Sequence, residues 1–294
     1  MPGAAELRTL QRRINSVRST QKITHAMELI AASRITRARQ AVEAARPYAV
    51  MITRVIRDLA AESSVADHPL LTQPAAVDRV GLVIVAADRG LAGAYNANIL
   101  RRAERLAEAE TQQGRDAVRY IVGRKAQQYY HYRGEQVAES WTGVTDRPRY
   151  ADARQIADRV INDYANGDIQ RVWLCYTDFR SALRQVPSVA QLLPVEQREL
   201  AGGAGYTAEF MFEPEPAEIL GQLLPRYLEH RVYAGLLESS ASEHASRQRA
   251  MSNASENASE IIDELTREAN AARQAAITTE ISEIVGGAEA LAST

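Results

Sequence analysis

Residues 251–276 read MSNASENASEIIDELTREANAARQAA, and their periodicity decides the architecture. Met251, Ala254, Ala258, Ile261, Leu265, Ala269, Ala272 and Ala276 recur at gaps of three or four. That spacing predicts a helix with one apolar stripe facing a partner helix, the seam of a coiled coil. The helical pattern extends from about Ala217 to Gly286, and neither Pro nor Gly occurs between Leu236 and Val285. At about 1.5 Å per residue the stretch spans roughly 100 Å. A domain of this size cannot bury such a helix, so another element must lie alongside it.

The other end of the chain supplies one. Ala4 to Arg46 contains no Pro or Gly. Leu7, Leu10, Ile14 and Val17 begin a seam, Ile23, Met27 and Ile30 continue it, and Ile35, Ala38, Val42 and Ala45 resume it. The spacing predicts slips after Val17 and after Ile30, and a locally irregular supercoil there. Pro47 is expected to kink the helix, and Ile52, Ile56 and Leu59 restore the pattern. Residues 1–60 hold 11 Arg or Lys against 4 Asp or Glu, a net of +7. Residues 215–294 hold 6 Arg against 13 Asp or Glu, a net of −7. Opposite charge beside a seam favours pairing of the two ends over self-pairing.

The bulk composition excludes several classes. The chain has 294 residues, 46% hydrophobic and 24% charged, which suits one soluble domain plus extended parts. A pI near 6.3 argues against nucleic acid as the main partner. The single Cys175 excludes an internal disulfide and suggests a reducing compartment. The start, MPGAAELRTL, lacks the apolar core of a signal peptide, and no apolar run reaches transmembrane length. Any work at a membrane requires another subunit to bring the chain there.

Between the two ends, strands alternate with helices. VGLVIVAA (Val80 to Ala87) and RVWLCY (Arg171 to Tyr176) read as buried parallel strands, with Val118 to Val122 and Gln136 to Trp141 as further strands. Helices are expected from about Ala94 to Gln112, Arg124 to Tyr132 and Tyr150 to Ala165. Gln185 to Leu193 is extended and holds Pro187, and the glycines 202, 203 and 205 precede a last extended run, Glu209 to Phe212. The fold class is therefore an α/β central domain, Rossmann-like with a mostly parallel sheet, on a long antiparallel coiled coil of the terminal helices. The boundaries are 1–60 for the first helix, 79–213 for the α/β domain and 214–290 for the long helix. Pro214 and Pro216 mark the start of the long helix. Pro225 should kink it or restart it.

Chemistry-bearing motifs are few. Asp88-Arg89-Gly90-Leu91-Ala92-Gly93 follows the first strand, where α/β sheets bind phosphate. It is neither GxGxxG nor a P-loop, and its glycines serve equally as a tight turn. The five histidines lack metal-ligand spacing, and no carboxylate pair stands out, so neither a cofactor nor a catalytic or metal site is expected. The arginines of the first helix read as a solvated face or as a docking strip for acidic partners. Beyond Arg273 there is no Lys or Arg, while Ile277, Ile281, Ile284 and Val285 extend past what the first helix can cover. An apolar tip of that kind needs an apolar receptor.

Taken together, these residues resemble the gamma subunit of F-type ATP synthases, over essentially the whole chain. The resemblance rests on Thr20-Gln21-Lys22-Ile23-Thr24, Ala26-Met27, Asp88-Arg89-Gly90-Leu91, Ser242-Glu243, Arg247 and Ala250-Met251. Its most specific part is Arg273-Gln274-Ala275-Ala276-Ile277-Thr278-Thr279-Glu280, then Glu283 and Gly287-Ala288. Two departures are Ala92, where many members have Cys, and Pro225. The resemblance implies a non-catalytic central-stalk rotor, coupling proton flow to ATP synthesis on the cytoplasmic face of a bacterial membrane. Its implied partners are the alpha and beta subunits of the catalytic hexamer, the epsilon subunit and the membrane c-ring. It places Met27 near acidic lever loops of beta, and Arg247, Arg273, Gln274 and Thr278 at polar contacts in the ring. Phe212 and Glu213 fall where the family meets epsilon or the c-ring. An α/β enzyme using Asp88–Gly93 for a nucleotide, and a static coiled-coil scaffold, remain as alternatives.

Overall fold

The computed structural model of the chain describes residues 2–60, 68–195 and 215–292. The expected strand from Glu209 to Phe212, the glycine turn before it, and both Phe212 and Glu213 lie outside the described residues. Helix α1 is Pro2–Ala60. The elements β1 (Arg79–Val85), α2 (Tyr95–Gln112), β2 (Asp116–Val122), α3 (Arg124–Tyr132), β3 (Val137–Trp141), α4 (Tyr150–Ala165), β4 (Arg171–Phe179) and β5 (Gln185–Leu193) follow in order. Helix α5, Pro216–Ala292, ends the chain. Two compact units emerge: Met1–Ile30 with Gln248–Thr294, and Ala31–Arg247.

The first unit is an antiparallel helix pair. Leu10, Ile14, Leu265 and Ala269 are buried together, with Leu7, Val17, Ile262 and Ala272 packed against them. Thr24 and Ser255 share a 2.7 Å hydrogen bond, which fixes the antiparallel register. The α5 seam runs through Met251, Ser255, Ala258, Ile262, Leu265, Ala269, Ala272 and Ala276, each at least partly buried. Its gaps alternate four and three throughout, the heptad rule. The seam residue is thus Ile262; Ile261 is 44% exposed. On α1 the expected slip after Val17 does not occur. Gln21, Thr24 and Glu28 occupy the next seam positions in unbroken rhythm, while Ile23 is 58% and Ile30 53% exposed. Seam membership follows helical angle rather than polarity, and the Thr24–Ser255 pair satisfies both part-buried hydroxyls.

In the second unit a five-stranded sheet runs in the order β3-β2-β1-β4-β5. β1 pairs in parallel with β2 and β4, and β3 with β2, while β5 closes the edge antiparallel to β4. The edge position explains Pro187: it lacks a donor, so it suits a strand with one free side. Alternate residues of β1 serve different cores. Val83 and Val85 join α4 and the Leu220–Leu236 stretch of α5, along with Ile52, Ile56 and Leu59 of α1. Val80, Leu82 and Ile84 face α2 and α3. Both faces are covered, which is why β1 reads as an uninterrupted apolar run. At Gly235 a Cβ would lie 2.7 Å from Leu174 Cδ2, so the glycine lets α5 press directly onto β4. Pro47 and Pro225 both sit inside unbroken helical spans, so α5 starts once, at Pro216, and is not restarted at Pro225.

Candidate functional site

The carboxyl end of β1 is where an open parallel sheet would hold a phosphate. Here the chain's own groups occupy it. The Asp88 carboxylate accepts hydrogen bonds from the N–H of Arg124 (3.1 Å), Gly143 (2.8 Å) and Thr145 (3.0 Å), and from the Thr145 hydroxyl (3.0 Å). The Thr145 oxygen in turn accepts the Asp88 N–H at 2.9 Å. Burial pushes the Asp88 pKa up, but these four donors outweigh it and hold the carboxyl below its usual range. Asp88 therefore ties the end of β1 to the start of α3 and to the loop after β3.

Helix α5 completes this region with a buried polar run. Thr177 of β4 lies past the point where β1 stops pairing, at Ile84↔Cys175. Ser239 accepts the Thr177 N–H at 3.1 Å, and the Ser242 hydroxyl donates to the Thr177 carbonyl at 3.1 Å. The two serines take over the ladder that β1 leaves open. One turn on, Arg247 donates to the Glu243 carboxylate at 2.6 Å and to the Gly90 carbonyl at 3.2 Å. Burial raises the Glu243 pKa, and Arg247 opposes that rise. His244 stands against the Asp146 carbonyl at 3.3 Å, and burial drops its pKa to about 4, so the imidazole is neutral. Arg34 of α1 pairs with Asp146.

Asp146, Glu243 and His244 offer ligand atoms within 4.8 Å of one another. Each carboxylate already faces a guanidinium, Arg34 at Asp146 and Arg247 at Glu243, so the cluster is neutral without a cation. Cys175 is buried in β4, and burial pushes its thiol up to about 12, which keeps it protonated and unreactive. The arrangement is a structural polar knot without an activated nucleophile.

The residues singled out in the sequence fall in three settings. Arg247 is buried and its guanidinium is engaged within the fold. Met27 is half-buried between exposed Ile23 and Ile30 on α1. Arg273, Gln274 and Thr278 are exposed on successive turns of α5, and the Thr278 hydroxyl donates to the Gln274 carbonyl at 3.0 Å. Ile277, Ile281 and Ile284 are exposed beside them, Ile284 at 71%. Both apolar stripes are displaced by one residue from the seam, Ile23, Met27 and Ile30 against Thr24, Glu28 and Ala31, and Ile277 against Ala276. One residue is about 100° around a helix. The tip is therefore turned away from the seam, and a longer α1 would not cover it. Asp146, Thr145 and Arg34 carry much of the knot yet left no mark in the sequence, because loop and helix meet only in the fold. Glu243 and Arg247, four apart on one helix, did leave one.

A titration test isolates another buried carboxyl. Glu238 of α5 is driven up to about 7 by burial and by Asp178, against the pull of Arg180 and Arg46. A carboxyl raised in the folded state contributes stability at acid pH that is lost as pH rises from near 4.5 to about 7. Glu238→Gln should gain on wild type by about 1–2 kcal/mol between pH 5 and pH 8, discounted for residual solvent. Burial lowers His68, His230 and His244, which act oppositely in acid, so the variant-minus-wild-type difference is the quantity to follow by urea unfolding. An equal difference at both pH values would show that Glu238 does not titrate in this window.

Residues 6–291 match the family described as ATP synthase. A protein of Frankia casuarinae named ATP synthase gamma chain is 49% identical over 297 residues, covering 99% of both chains. One of Mycolicibacterium smegmatis with the same name is 48% identical, covering 98% of this chain and 99% of that one. Among solved structures, the central stalk and c-ring of the Tetrahymena thermophila mitochondrial ATP synthase contains a chain 28% identical, with a TM-score of 0.62, covering 79% of this chain and 99% of that one. A chain in the Euglena gracilis mitochondrial ATP synthase superposes with a TM-score of 0.67 at 15% identity, covering 98% of this chain and 95% of that one, a likeness of fold.

Proposed function

From the premise that the chain belongs to the ATP synthase gamma-chain family, we propose that it is the rotor of the central stalk in a bacterial F-type ATP synthase. It transmits rotation between the membrane c-ring and the alpha/beta hexamer, coupling proton flow to ATP synthesis and regulating both. It contributes no catalytic residue; the chemistry belongs to other subunits. It is a peripheral subunit on the cytoplasmic face of the membrane, and no helix among the described residues is long and apolar enough to cross one.

The observation that carries this reading is the off-seam apolar stripe of Ile277, Ile281 and Ile284. A static two-helix scaffold would bury its isoleucines in its own seam. A shaft turning inside a sleeve needs apolar surface facing outward and few charges to snag, and no Lys or Arg follows Arg273. Arg273, Gln274 and Thr278 would make the polar contacts just above that sleeve. Phe212 and Glu213 would meet epsilon or the c-ring. Arg247 would act from inside, holding the Arg89–Gly90 turn in place. A ligand or partner shifts a conformational equilibrium only by binding its states unequally, so a rotor works through faces that each beta subunit meets differently.

Met27 tests the reading because it lies off the seam, where substitution spares the helix pair. Met27→Lys should add an attraction of about 1 kcal/mol to acidic lever loops of beta in one rotary state. That holds the state roughly fivefold longer. Proton pumping should fall more than ATP hydrolysis when both are measured in the same vesicles. Equal loss of both, in step with reduced assembly, would indicate misfolding and count against the rotor contact.

A further inference from the structure

A cavity of about 270 Å³ opens in the second unit between α1, α5 and the loop after β3. Its rim carries three guanidinium groups, Arg34, Arg37 and Arg147, and its one carboxylate is Asp146. Asp146 is already paired with Arg34, so among the lining residues no carboxylate is left for Arg37 and Arg147. Arg37 reaches Ser33 on its own helix at 3.4 Å, and among the described residues Arg147 has no carboxylate partner. Both are exposed at the mouth. Deeper in, Ser240 and the neutral His244 are held on the Asp146 carbonyl, at 3.5 and 3.3 Å, beside an apolar floor that includes Leu237 and Pro148. Guanidinium groups fit oxyanions through paired N–H donors. The volume lies near the lower end of small-molecule pockets, which suits a compact ligand.

We propose that this cavity binds a small phosphate monoester, its dianionic head between Arg37 and Arg147 and a compact apolar body on the Leu237–Pro148 floor. The charge count selects the head: two guanidinium groups with no carboxylate partner among the described residues match two negative charges better than one. The floor selects the body, since water over Leu237 and Pro148 is displaced at little cost by an apolar group. The site is separate from the carboxyl end of β1, where Asp88 has its donors within the fold.

Calorimetric titration of the full-length chain with phenyl phosphate, inorganic phosphate and benzoate tests this directly. Phenyl phosphate should bind one per chain, roughly tenfold more tightly than either fragment. Arg37→Ala/Arg147→Ala should weaken it by at least about tenfold without moving the thermal midpoint, because both side chains are exposed. Arg12→Ala/Arg13→Ala, an equal charge loss elsewhere on α1, should leave binding unchanged. Phenyl phosphate binding that is absent, no tighter than inorganic phosphate, or equally weakened by both double variants would overturn the proposal.

Discussion

Arg247→Ala should destabilise the second unit by about 3–5 kcal/mol, because it strands a buried charge. The Glu243 side chain is 1% exposed, and its only guanidinium partner among the described residues is Arg247, at 2.6 Å. Without Arg247 the carboxylate has neither water nor a cation. The carbonyls of Arg89 and Gly90 lose a donor as well, at 3.5 and 3.2 Å. The loss is large against a total stability of about 5–15 kcal/mol. Two controls separate the charge from the packing. Arg247→Met with Glu243→Gln removes both charges and should recover most of the stability, since replacing a whole buried pair costs far less than breaking it. The single variant should also recover towards acid pH. Burial already raises Glu243, and without Arg247 it protonates more readily, so the deficit seen at pH 8 should shrink at pH 5. Urea unfolding at both pH values measures this. A deficit under about 1 kcal/mol at pH 8 would mean that solvent reaches Glu243.

The same residue shows where sequence reading reaches its limit. A charged side chain on a predicted helix reads as exposed, whereas Arg247 is buried and bonded within the fold. Its burial depends on Arg89 and Gly90, whose carbonyls it meets from a turn distant in sequence. The seams show a subtler limit. Apolar spacing alone passes over Gln21, Thr24 and Glu28 as seam positions, so it predicts a slip where the rhythm is unbroken. Ile261 and Ile262 are adjacent and identical, and gaps of three or four admit either; only the partner helix decides. What was legible rested on strong local signals. The run from Val80 to Ala87, the Gly stops at Gly114, Gly134 and Gly167, and the prolines before α5 located nearly every element. The uncovered tip was legible from composition, but its direction was not. The displacement of Ile277 from the seam appears only once Ala276 is seen to belong to it. That displacement turns an overhang into an outward face.

Gly123→Ala should be as costly as the loss of Arg247, by a different route. Gly123 follows β2 directly and has φ +99°, a backbone region that L side chains rarely adopt. A Cβ there would lie 2.2 Å from the Ala86 carbonyl oxygen and 3.1 Å from the Ala87 carbonyl carbon. Both are backbone atoms, so no rotamer change relieves the clash. Strained backbone and overpacking each cost about 1–3 kcal/mol, and here they act together. The close approach has a purpose. Gly123 donates to the Trp141 carbonyl at 2.8 Å, and Lys125 donates to the Ala87 carbonyl at 2.9 Å. Glycine thus lets the start of α3 close directly over the end of β1, bringing the Arg124 N–H to Asp88. In dinucleotide-binding sheets, glycines at this end bring the backbone close to a phosphate. Here a glycine brings one strand end against another, and the crevice is filled by the protein itself. Gly114→Ala supplies the comparison: φ is +78°, but nothing lies within 4 Å of its Cβ. It should cost only about 1 kcal/mol, the conformational part alone. Thermal unfolding of the two variants side by side decides the point. Equal losses would mean that the β1–α3 junction yields to the methyl group, and the tight closure would then not be what keeps this end of the sheet shut.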